Sequence, residues 1–291
     1  MPELPEVEVT RRAIAPLLVG RRIARVRTTT DSYFFLTRPA RLRRALAGRT
    51  VTSLTRRGKY LVGALDDASR LVVHLGMTGQ LFAAGASSPR LLSAARRASL
   101  VPEEQARFRP DSHTHLCLSF ADGGAAVFLR DVRKFGKVLL LRDGESHPRL
   151  ERLGVDALAA TGALLFDATR GREVAIKSAL LDQALIAGVG NIYTDEALFL
   201  AGVRPGRQAG RVTRSECDAI AAALQRVLRR SIETGGSSIS DYVAPDGSDG
   251  AYQSERRVYA RGGEPCGVCG APIRRTSIGQ RGTHYCPRCQ S

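Results

Sequence analysis

The first residues of the chain could supply a reactive amine. The sequence begins Met1-Pro2-Glu3-Leu4-Pro5-Glu6. If Met1 is removed, Pro2 presents a secondary amine, and an α-amine with a pKa of ~7.7–8.0 is partly neutral and nucleophilic near pH 7. Glu3 lies beside it and Glu6 follows one helical turn later, so carboxyl groups that can carry protons are close by. An ordinary acidic helix N-terminus has the same residue types, and this segment alone does not exclude that alternative.

Four cysteines near the end of the chain have the spacing of a metal site. Cys266-x2-Cys269 is followed by sixteen residues and then by Cys286-x2-Cys289. Two such knuckles around a hairpin typically bind one tetrahedral Zn²⁺ through four thiolates. Two disulfides are the alternative, but they are typical of secreted chains, and no apolar signal segment opens this sequence. We therefore expect one structural zinc, and we expect Cys117 and Cys217 to be small buried hydrophobic residues.

The composition indicates a polyanionic partner. The 291 residues carry a net charge of +16, with a pI near 10.4, which favours a nucleic-acid-binding protein. A general preference for arginine, which outnumbers lysine forty to four, is the alternative. The hydrophobic content of 43% without a long apolar stretch predicts a soluble globular protein with no membrane span. A cytoplasmic location and a monomeric state are further expectations.

The N-terminal half reads as one helix followed by strands. Pro5 to Val19 has an apolar side and ends before Gly20, which predicts a helix. Short apolar or alternating runs then predict seven strands, and Asp122-Gly123-Gly124 predicts a hairpin turn. The strands are Ile23–Thr29, Val51–Thr55, Tyr60–Leu65, Leu71–Leu75, Leu116–Phe120, Val127–Leu129 and Val138–Leu141. This pattern predicts a β-sandwich, with an inserted surface loop between Phe82 and His113.

The C-terminal half reads as helical. Thr213-Arg214-Ser215-Glu216 is a capping box that opens a helix ending before Gly235-Gly236. Two further helices, 175–182 and 191–201, are joined by a glycine-rich turn whose exposed N–H groups at Asn191 could bind phosphate, although an ordinary helix cap is the alternative. The expected domains are 1–142, a linker at 143–150, a helical domain at 151–252 and a zinc finger at 253–291.

Five segments, in this order along the chain, resemble the formamidopyrimidine-DNA glycosylase family. They are Met1-Pro2-Glu3-Leu4-Pro5-Glu6-Val7-Glu8, Arg57-Gly58-Lys59-Tyr60-Leu61, His74-Leu75-Gly76-Met77-Thr78-Gly79, Gly188-Val189-Gly190-Asn191-Ile192-Tyr193 and the four-cysteine finger. The resemblance spans essentially the whole chain. It implies an α+β fold that consists of an N-terminal β-sandwich with a leading helix, a helix-two-turn-helix domain and a zinc finger, with damaged duplex DNA bound between the domains.

The resemblance also implies an activity. Members of the family excise oxidised purines, such as 8-oxoguanine and formamidopyrimidines, through an N-terminal proline Schiff base, and they cleave the strand by β,δ-elimination. The sister family, endonuclease VIII, usually opens Pro-Glu-Gly-Pro, so Leu4 favours the purine branch. Three other readings stay open: an oxidised-pyrimidine glycosylase of the endonuclease VIII type, a lyase on abasic sites with weak or altered glycosylase activity, and a non-catalytic zinc-ribbon DNA binder. Pro2 and Glu3 oppose the last of these.

By the same resemblance, individual residues acquire expected roles. Pro2 is the nucleophile, Glu3 the proton donor and Glu6 a supporting acceptor. The predicted phosphate contacts around the extruded nucleotide are Lys59, Asn191 and Arg281, of which Lys59 is also counted among the catalytic residues. Lys177 is a further predicted DNA contact. Met77, Arg133 and Phe135 are expected to fill the gap left by the flipped base. From residue type alone, core packing would be favoured for Met77 and Phe135.

The sequence departs from the family pattern in one motif. The family often has Asp-Pro-Arg-Arg-Phe-Gly, where this chain has Asp131-Val132-Arg133-Lys134-Phe135-Gly136. Arg133 and Phe135, which are expected to fill the gap in the DNA, match the family pattern. The turn before them is altered, because Val132 stands where the family often has proline. A chain that retains Met1 would carry an amide at Pro2, which cannot form an iminium, so removal of Met1 is a condition for the expected chemistry.

Overall fold

The computed structural model describes residues 2–88, 108–238 and 242–291. The chain forms two compact units. The first contains Met1–His147 and Thr234–Ala251, and the second contains Pro148–Glu233 and Tyr252–Ser291. The stretch Thr234–Ala251, which we call the return segment, therefore belongs to the N-terminal unit, whereas the sequence had assigned it to the helical domain.

The first unit is a β-sandwich with two helices. Its helices are α1 (Leu4–Leu18) and α2 (Pro39–Leu46). Its strands are β1 (Ile23–Thr28), β2 (Val51–Arg57), β3 (Tyr60–Leu65), β4 (Arg70–His74), β5 (Gly79–Ala83), β6 (Thr114–Phe120), β7 (Val127–Asp131) and β8 (Lys137–Leu141). One antiparallel sheet has the order β1-β6-β7-β5 and the other has β2-β3-β4-β8. Both sheets and both helices contribute buried apolar side chains to a single core, so the predicted sandwich is confirmed.

Two elements of this unit were not predicted from the sequence. In β5, Leu81 enters the main core while Phe82 enters a second apolar cluster on the opposite face of the same sheet. A strand that is buried on both faces shows no polar alternation, so its pattern resembled a loop. Helix α2 has arginines on most of its surface and buries mainly Leu42 and Leu46. The predicted leading helix and the seven predicted strands are present, with ends that differ by no more than two residues.

The ends of the expected surface loop are packed against the sandwich. Strand β5 extends to Ala83, and Ser88 and Phe108 are both buried. The expectation of a surface loop is therefore wrong for these ends. Residues 89–107, which make up most of that stretch, lie outside the described residues.

The second unit is helical and carries a hairpin at its end. Its elements are α3 (Pro148–Glu151), β9 (Val155–Asp156), α4 (Gly162–Thr169), α5 (Ile176–Leu181), β10 (Ile186–Ala187), α6 (Asn191–Leu200), α7 (Arg214–Glu233), β11 (Arg274–Ile278) and β12 (Arg281–Tyr285). The capping box at α7 is confirmed, because the N–H of Thr213 donates to Glu216 at 2.8 Å and the N–H of Glu216 donates to Thr213 Oγ1 at 3.3 Å. Cys117 in β6 and Cys217 in α7 are buried, as expected.

No helix among the described residues is long and apolar enough to cross a membrane.

A buried carboxylate joins α1 to the β2–β3 hairpin. Glu8 accepts hydrogen bonds from Arg11 at 2.8 Å, from Arg12 at 2.9 Å and from Arg56 at 3.2 Å. Arg56 in turn donates to the carbonyl of Gly58, in the hairpin turn that carries Lys59, at 3.0 Å. Burial alone would raise the pKa of Glu8, but the hydrogen bonds and charges of the guanidinium groups lower it to about 2.

We expect Glu8→Gln to destabilise the protein by about 3 kcal/mol at pH 7, the free-energy equivalent of a pKa shift of that size. Because the pKa of Glu8 is lower in the folded state, its contribution is present above the unfolded pKa of ~4.3 and is lost as the pH falls towards 2. Urea titrations at a series of pH values measure this. The exposed Glu233, paired with Arg230 at 3.4 Å, gives the control Glu233→Gln, which should cost less than about 1 kcal/mol. A Glu8→Gln deficit that is independent of pH would contradict the assignment.

Candidate active site and nucleic-acid interface

The predicted catalytic carboxylates lie together at the N-terminus of α1. Glu3 is the N-cap residue and forms a reciprocal capping box with Glu6, in which the N–H of Glu3 donates to Glu6 Oε2 at 2.8 Å. Pro2, Glu3 and Glu6 are all buried, and the two glutamates are only 2% and 1% exposed. An ordinary solvated helix terminus would leave these carboxyl groups in water, so the geometry differs from that alternative.

The return segment covers Glu6. The N–H of Ser237 donates to Glu6 Oε1 at 2.9 Å, and the hydroxyl of Tyr242 donates to the Glu6 carbonyl at 3.3 Å. Burial, and then the negative charge of Glu6, raise the pKa of the Tyr242 phenol, so the hydroxyl remains a donor. Both oxygens of the Glu6 carboxylate are thus held by backbone N–H groups from opposite ends of the chain.

Gly236 is required for this close approach. Its φ is +86°, and an added Cβ would lie 3.2 Å from Glu6 Cγ, Glu6 Oε1 and Tyr242 Cε1. From the sequence, Gly235-Gly236 is predicted only to end the helix, and no role is predicted for Ser237 or Tyr242. The second glycine, Gly236, was a signal in the sequence that the backbone approaches another group closely here, because a helix C-terminus needs only one residue with positive φ.

Lys59 lies in the two-residue turn between β2 and β3. Gly58 precedes it with a φ of +57°, which the tight turn requires. The Lys59 side chain is buried, and the Glu8–Arg56 contacts connect this turn to α1. Lys59 lies in the β2–β3 turn, and Glu3 and Glu6 lie at the start of α1. The hydrogen bonds of Arg56 to Glu8 and to Gly58 therefore join the two elements that carry these residues.

The residues expected to fill the gap in DNA lie on two neighbouring turns. Met77 and Phe135 are 40% and 41% exposed, so core packing is wrong for both. The guanidinium carbon of Arg133 lies 4.5 Å from the centre of the Phe135 ring, a cation–π contact. An added Cβ on Gly76 would lie 2.4 Å from Gly136 N, so the two turns touch directly.

Asp131 holds the two turns together. It is fully buried, and its Oδ1 accepts from the Thr78 hydroxyl and from the N–H of Arg133 at 3.2 Å. Its Oδ2 accepts from the N–H of Gly136 at 2.7 Å. Sequence reasoning noted Asp131 only as part of a motif and missed that one carboxylate fixes both turns. The available signal was a polar residue at the end of the apolar strand β7.

Lys177 occupies the interior of the second unit and is not at its surface. The side chain is 0% exposed, and Nζ donates to Asp195 Oδ1 at 2.6 Å and to the Gly282 carbonyl at 3.0 Å. Asp195 Oδ2 also accepts from the N–H of His284 at 2.8 Å. A fully buried ammonium cannot touch phosphate, so the prediction of a direct DNA contact does not fit. Lys177 instead connects α5 and α6 to the β11–β12 hairpin.

Asn191 and the start of β12 lie close together. Gly190 is the N-cap of α6, so the alternative that Asn191 caps the helix is wrong. The Asn191 side-chain amide donates to the Gly282 carbonyl at 2.9 Å, next to the exposed Arg281. A cavity of about 400 Å³ opens here and is lined by Asn191, Tyr259, Ala260, Gly262, Arg275, Gly282 and His284. The positive end of α6 and the nearby arginines suit an anion; Arg275 and His284 were missed by sequence reasoning.

The four cysteines form the predicted metal-binding cluster. Their sulfur atoms all lie within 4.8 Å of one another, and a tetrahedral site with Zn–S bonds of about 2.3 Å has sulfur–sulfur edges of about 3.8 Å. The N–H of Cys289 donates to Cys286 Sγ at 3.4 Å. Burial would raise the pKa of Cys286, but N–H groups and neighbouring thiols lower it to about 7. These residues fit one structural zinc, with no position left for water.

We expect Cys286→Ser to reduce bound zinc from one ion per chain to nearly none, because three thiolates no longer close the tetrahedron. Cys117→Ser is the matched control: it also alters a buried cysteine, but one in the sandwich, and it should retain one zinc. Metal analysis after desalting measures both. Equal zinc contents in the two variants would contradict the assignment.

Three family models match successive parts of the chain. They are the formamidopyrimidine-DNA glycosylase N-terminal domain at residues 1–138, the formamidopyrimidine-DNA glycosylase H2TH domain at residues 153–243, and the zinc finger found in FPG and IleRS at residues 263–291. Curated relatives named formamidopyrimidine-DNA glycosylase include one from Burkholderia thailandensis, 43% identical with both chains fully covered. Another, from Symbiobacterium thermophilum, is 41% identical and covers 100% of this chain and 89% of its own length.

Solved structures agree in fold. A Lactococcus lactis FPG mutant in complex with Fapy-dG-containing DNA has a TM-score of 0.85 and 34% identity, with both chains fully covered. Lactococcus lactis Fpg with abasic-site DNA has a TM-score of 0.84, 34% identity and 99% of each chain covered. The MutM (FPG) protein from Thermus thermophilus has a TM-score of 0.83 and 37% identity over 99% of this chain and 98% of its own. The chain belongs to the formamidopyrimidine-DNA glycosylase family.

Proposed function

We propose that this chain excises oxidised purines, including 8-oxoguanine and formamidopyrimidines, from duplex DNA and then cleaves the strand at the abasic site. Family membership over the full length supports this function, as do similar structures that contain Fapy-dG and abasic DNA. The observation that carries the proposal is the arrangement at the N-terminus. Pro2 and the N-cap residue Glu3 directly precede α1, and the Glu6 carboxylate is held by the N–H groups of both Glu3 and Ser237.

The proposed chemistry begins with the amine of Pro2, once Met1 has been removed. Its nitrogen forms a bond to C1′ of the damaged nucleotide, and the glycosidic C1′–N bond breaks as the base leaves. The sugar ring opens when Glu3 protonates O4′, which leaves an iminium between C1′ and Pro2. The iminium acidifies the C2′ proton, and loss of this proton expels the 3′ phosphate. A second elimination expels the 5′ phosphate, and water then releases Pro2.

Glu6 acts in this scheme by positioning the helix start. Its carboxylate accepts from the Glu3 N–H at 2.8 Å and from the Ser237 N–H at 2.9 Å. Each bond is charge-assisted and buried, so the backbone that carries Pro2 and Glu3 has little freedom. Catalysis by an amine and a neighbouring acid requires this kind of fixed geometry.

The proposal assigns DNA contacts to Lys59 in the β2–β3 turn and to groups that are exposed or that line the cavity at the start of α6. Met77 and Phe135 would enter the gap left by the extruded nucleotide, and Arg133, stacked on Phe135, would face the orphaned base. Asn191 and Arg281 would bind phosphate at the positive end of α6, and Lys59 would bind phosphate near the reacting sugar. The net charge of +16 supports a large electrostatic share of the affinity.

The proposed setting is the bacterial cytoplasm, where the protein acts on chromosomal DNA as a monomer. The bacterial sources of its relatives support this setting.

The decisive experiment is trapping of the iminium. Borohydride added during reaction with 8-oxoguanine duplex should reduce the iminium and leave protein covalently linked to DNA. Pro2→Gly keeps an N-terminal amine but changes its basicity and position, so trapping should fall strongly while binding is retained. Glu3→Gln should slow base release by about 100-fold or more and keep some cleavage of a ready-made abasic site, since the amine remains.

Mass spectrometry of the N-terminus, to verify removal of Met1, is the control for this experiment. If processed protein binds damaged duplex but forms no adduct, the glycosylase proposal fails and a zinc-ribbon DNA binder replaces it. If the adduct forms faster with oxidised pyrimidines than with oxidised purines, the specificity is that of endonuclease VIII.

A second prediction concerns the residues that fill the gap. Phe135→Ala and Met77→Ala should slow excision from duplex by about 10-fold, because the extruded state loses the side chains that replace the flipped base. Cleavage of an abasic site in flexible single-stranded DNA should change little, since no stacking has to be broken. Val174→Ala, at an exposed apolar residue of the second unit, is the control. Equal losses on both substrates would mean that the two side chains serve folding only.

A further inference from the structure

The exposed side chain of Tyr33 binds the turn that carries Arg133 and Phe135. This turn comprises residues 132–136, and we call it the gap-filling turn. Tyr33 is 61% exposed, and its hydroxyl donates to the Arg133 carbonyl at 3.0 Å. Because most of the ring lies outside the core, burial alone does not explain a tyrosine at this position.

The backbone that follows Tyr33 is fastened to β8. Phe34 is fully buried in the core, and its carbonyl accepts from the N–H of Val138 at 3.0 Å. The N–H of Leu36 donates to the Val138 carbonyl at 2.9 Å. Strand β8 directly follows the gap-filling turn in the chain. The exposed ring of Tyr33 is therefore carried by a backbone that is fixed beside this turn.

The backbone of Arg133 is bound at both ends. Its N–H donates to Asp131 Oδ1 at 3.2 Å and to Thr78 Oγ1 at 3.3 Å. Its carbonyl accepts from the hydroxyl of Tyr33. The peptide groups on either side of the Arg133 Cα are thus held by side chains from outside the turn. Because the direction of Cβ follows from the backbone, these bonds fix the direction in which the guanidinium leaves the turn.

The conformation of Lys134 makes this fastening necessary. Lys134 has a φ of +57°, in the left-handed region that few residues other than glycine adopt. The peptide group between Arg133 and Lys134 carries the carbonyl that Tyr33 binds. A residue in this conformation persists only where its surroundings determine it strongly. The Tyr33 hydroxyl is one of the groups that determine it here.

Lys137 secures the other end of the turn and also contacts Tyr33. Its Nζ donates to the Gly136 carbonyl at 2.9 Å and to the Phe135 carbonyl at 3.4 Å. The same Nζ lies 4.9 Å from the centre of the Tyr33 ring, a cation–π contact. Tyr33 therefore supports the turn in two ways, through its hydroxyl at Arg133 and through its ring face at Lys137.

We propose that Tyr33 is a positioning residue that aims the Arg133 guanidinium at the base opposite the lesion, and that it thereby determines how strictly the enzyme selects that base. This inference rests on the proposed function, in which Arg133 faces the orphaned base. A guanidinium only donates hydrogen bonds. The Watson–Crick edge of cytosine has two adjacent acceptors, whereas that of adenine has one acceptor beside a donor. A correctly aimed fork therefore makes two bonds to cytosine and one to adenine.

The variant Tyr33→Phe separates the hydroxyl from the ring, because it loses the bond to Arg133 and keeps the ring beside Lys137. Single-turnover excision of 8-oxoguanine opposite cytosine should slow by about 5-fold, the change that corresponds to one hydrogen bond of ordinary strength. Excision opposite adenine should stay within about 2-fold of wild type, so the preference for cytosine falls. Tyr33→Leu also lacks the ring and should slow excision opposite cytosine by about 10-fold or more.

An Arg133→Ala background tests whether Tyr33 acts through Arg133. The single variant Arg133→Ala should lose most of the preference for cytosine. Adding Tyr33→Phe to it should change neither excision rate by more than about 2-fold, since the side chain that Tyr33 aims is already gone. A purely structural role of Tyr33 would produce a further loss in this background, because the turn would be weakened whichever side chain stands at position 133.

The matched control for the loss of a phenol hydroxyl is Tyr285→Phe. Tyr285 ends β12 in the second unit, and the variant leaves Tyr33 and Arg133 unchanged. It should retain the wild-type preference for cytosine. Cleavage of an abasic site in single-stranded DNA involves no opposite base and should be unaffected in every Tyr33 variant. Thermal unfolding of each variant checks that it is folded at the assay temperature.

Binding measurements separate this proposal from the proposed function. If wild-type, processed protein forms no borohydride adduct, the proposed function fails. Affinity for duplex that carries a tetrahydrofuran site opposite cytosine or adenine requires no chemistry, and Tyr33→Phe should reduce the preference for cytosine there too. An unchanged preference in Tyr33→Phe would overturn the proposal, as would equal losses on all three excision and cleavage substrates. A wild type that does not distinguish cytosine from adenine would also overturn it.

Discussion

The burial of the Glu6 carboxylate is the constraint on which the candidate site depends. A buried carboxylate is costly unless each oxygen finds donors, and here one oxygen binds the N–H of Glu3 while the other binds the N–H of Ser237. The second donor is 231 residues away in the sequence. Satisfying one side chain therefore requires the chain to leave the helical unit after α7 and return to the sandwich. Gly236 permits this return, because its φ of +86° disfavours other residues and an added Cβ would lie only 3.2 Å from Glu6.

Two other buried carboxylates, those of Asp131 and Asp195, also join separate elements through hydrogen bonds to both oxygens. Asp131 uses its two oxygens to join the turn that carries Met77 to the turn that carries Phe135. Asp195 uses its two oxygens to bind Lys177 and the backbone of His284, which fixes the hairpin of the zinc finger beside α6. In each case the buried carboxylate accepts hydrogen bonds from two different elements and so joins the elements that carry the expected DNA contacts. The expected DNA-facing residues can then be exposed without being mobile, because buried charge-assisted bonds hold their backbone.

The sequence was sufficient for much of the fold and for the types of residue at the site. Alternating strands, the capping box at Thr213 and the cysteine spacing are local signals, and each was confirmed. Strand β5 was not predicted because it is apolar on both faces. The contact of Ser237 with Glu6 was missed too, because a backbone N–H leaves no trace in residue type and only the second glycine, Gly236, indicated a close approach. Lys177 was misjudged for a related reason: its charge suggested a phosphate contact, and nothing local indicated the buried Asp195.

The use of lysine in an arginine-rich chain has a physical basis in these contacts. At Lys177 the acceptors are a carboxylate of α6 and a carbonyl of β12, which converge on one point from different elements. A compact ammonium can satisfy both, whereas a planar guanidinium fork needs a wider, more coplanar arrangement. At Lys137 the contacts are local: its Nζ donates to the Gly136 carbonyl at 2.9 Å and lies 4.9 Å from the Tyr33 ring centre. Lys59, buried in the β2–β3 turn, is a third position where the chain keeps a point charge although its composition favours arginine. At Lys177 the choice of lysine over arginine therefore reports the geometry of the acceptors around the charge.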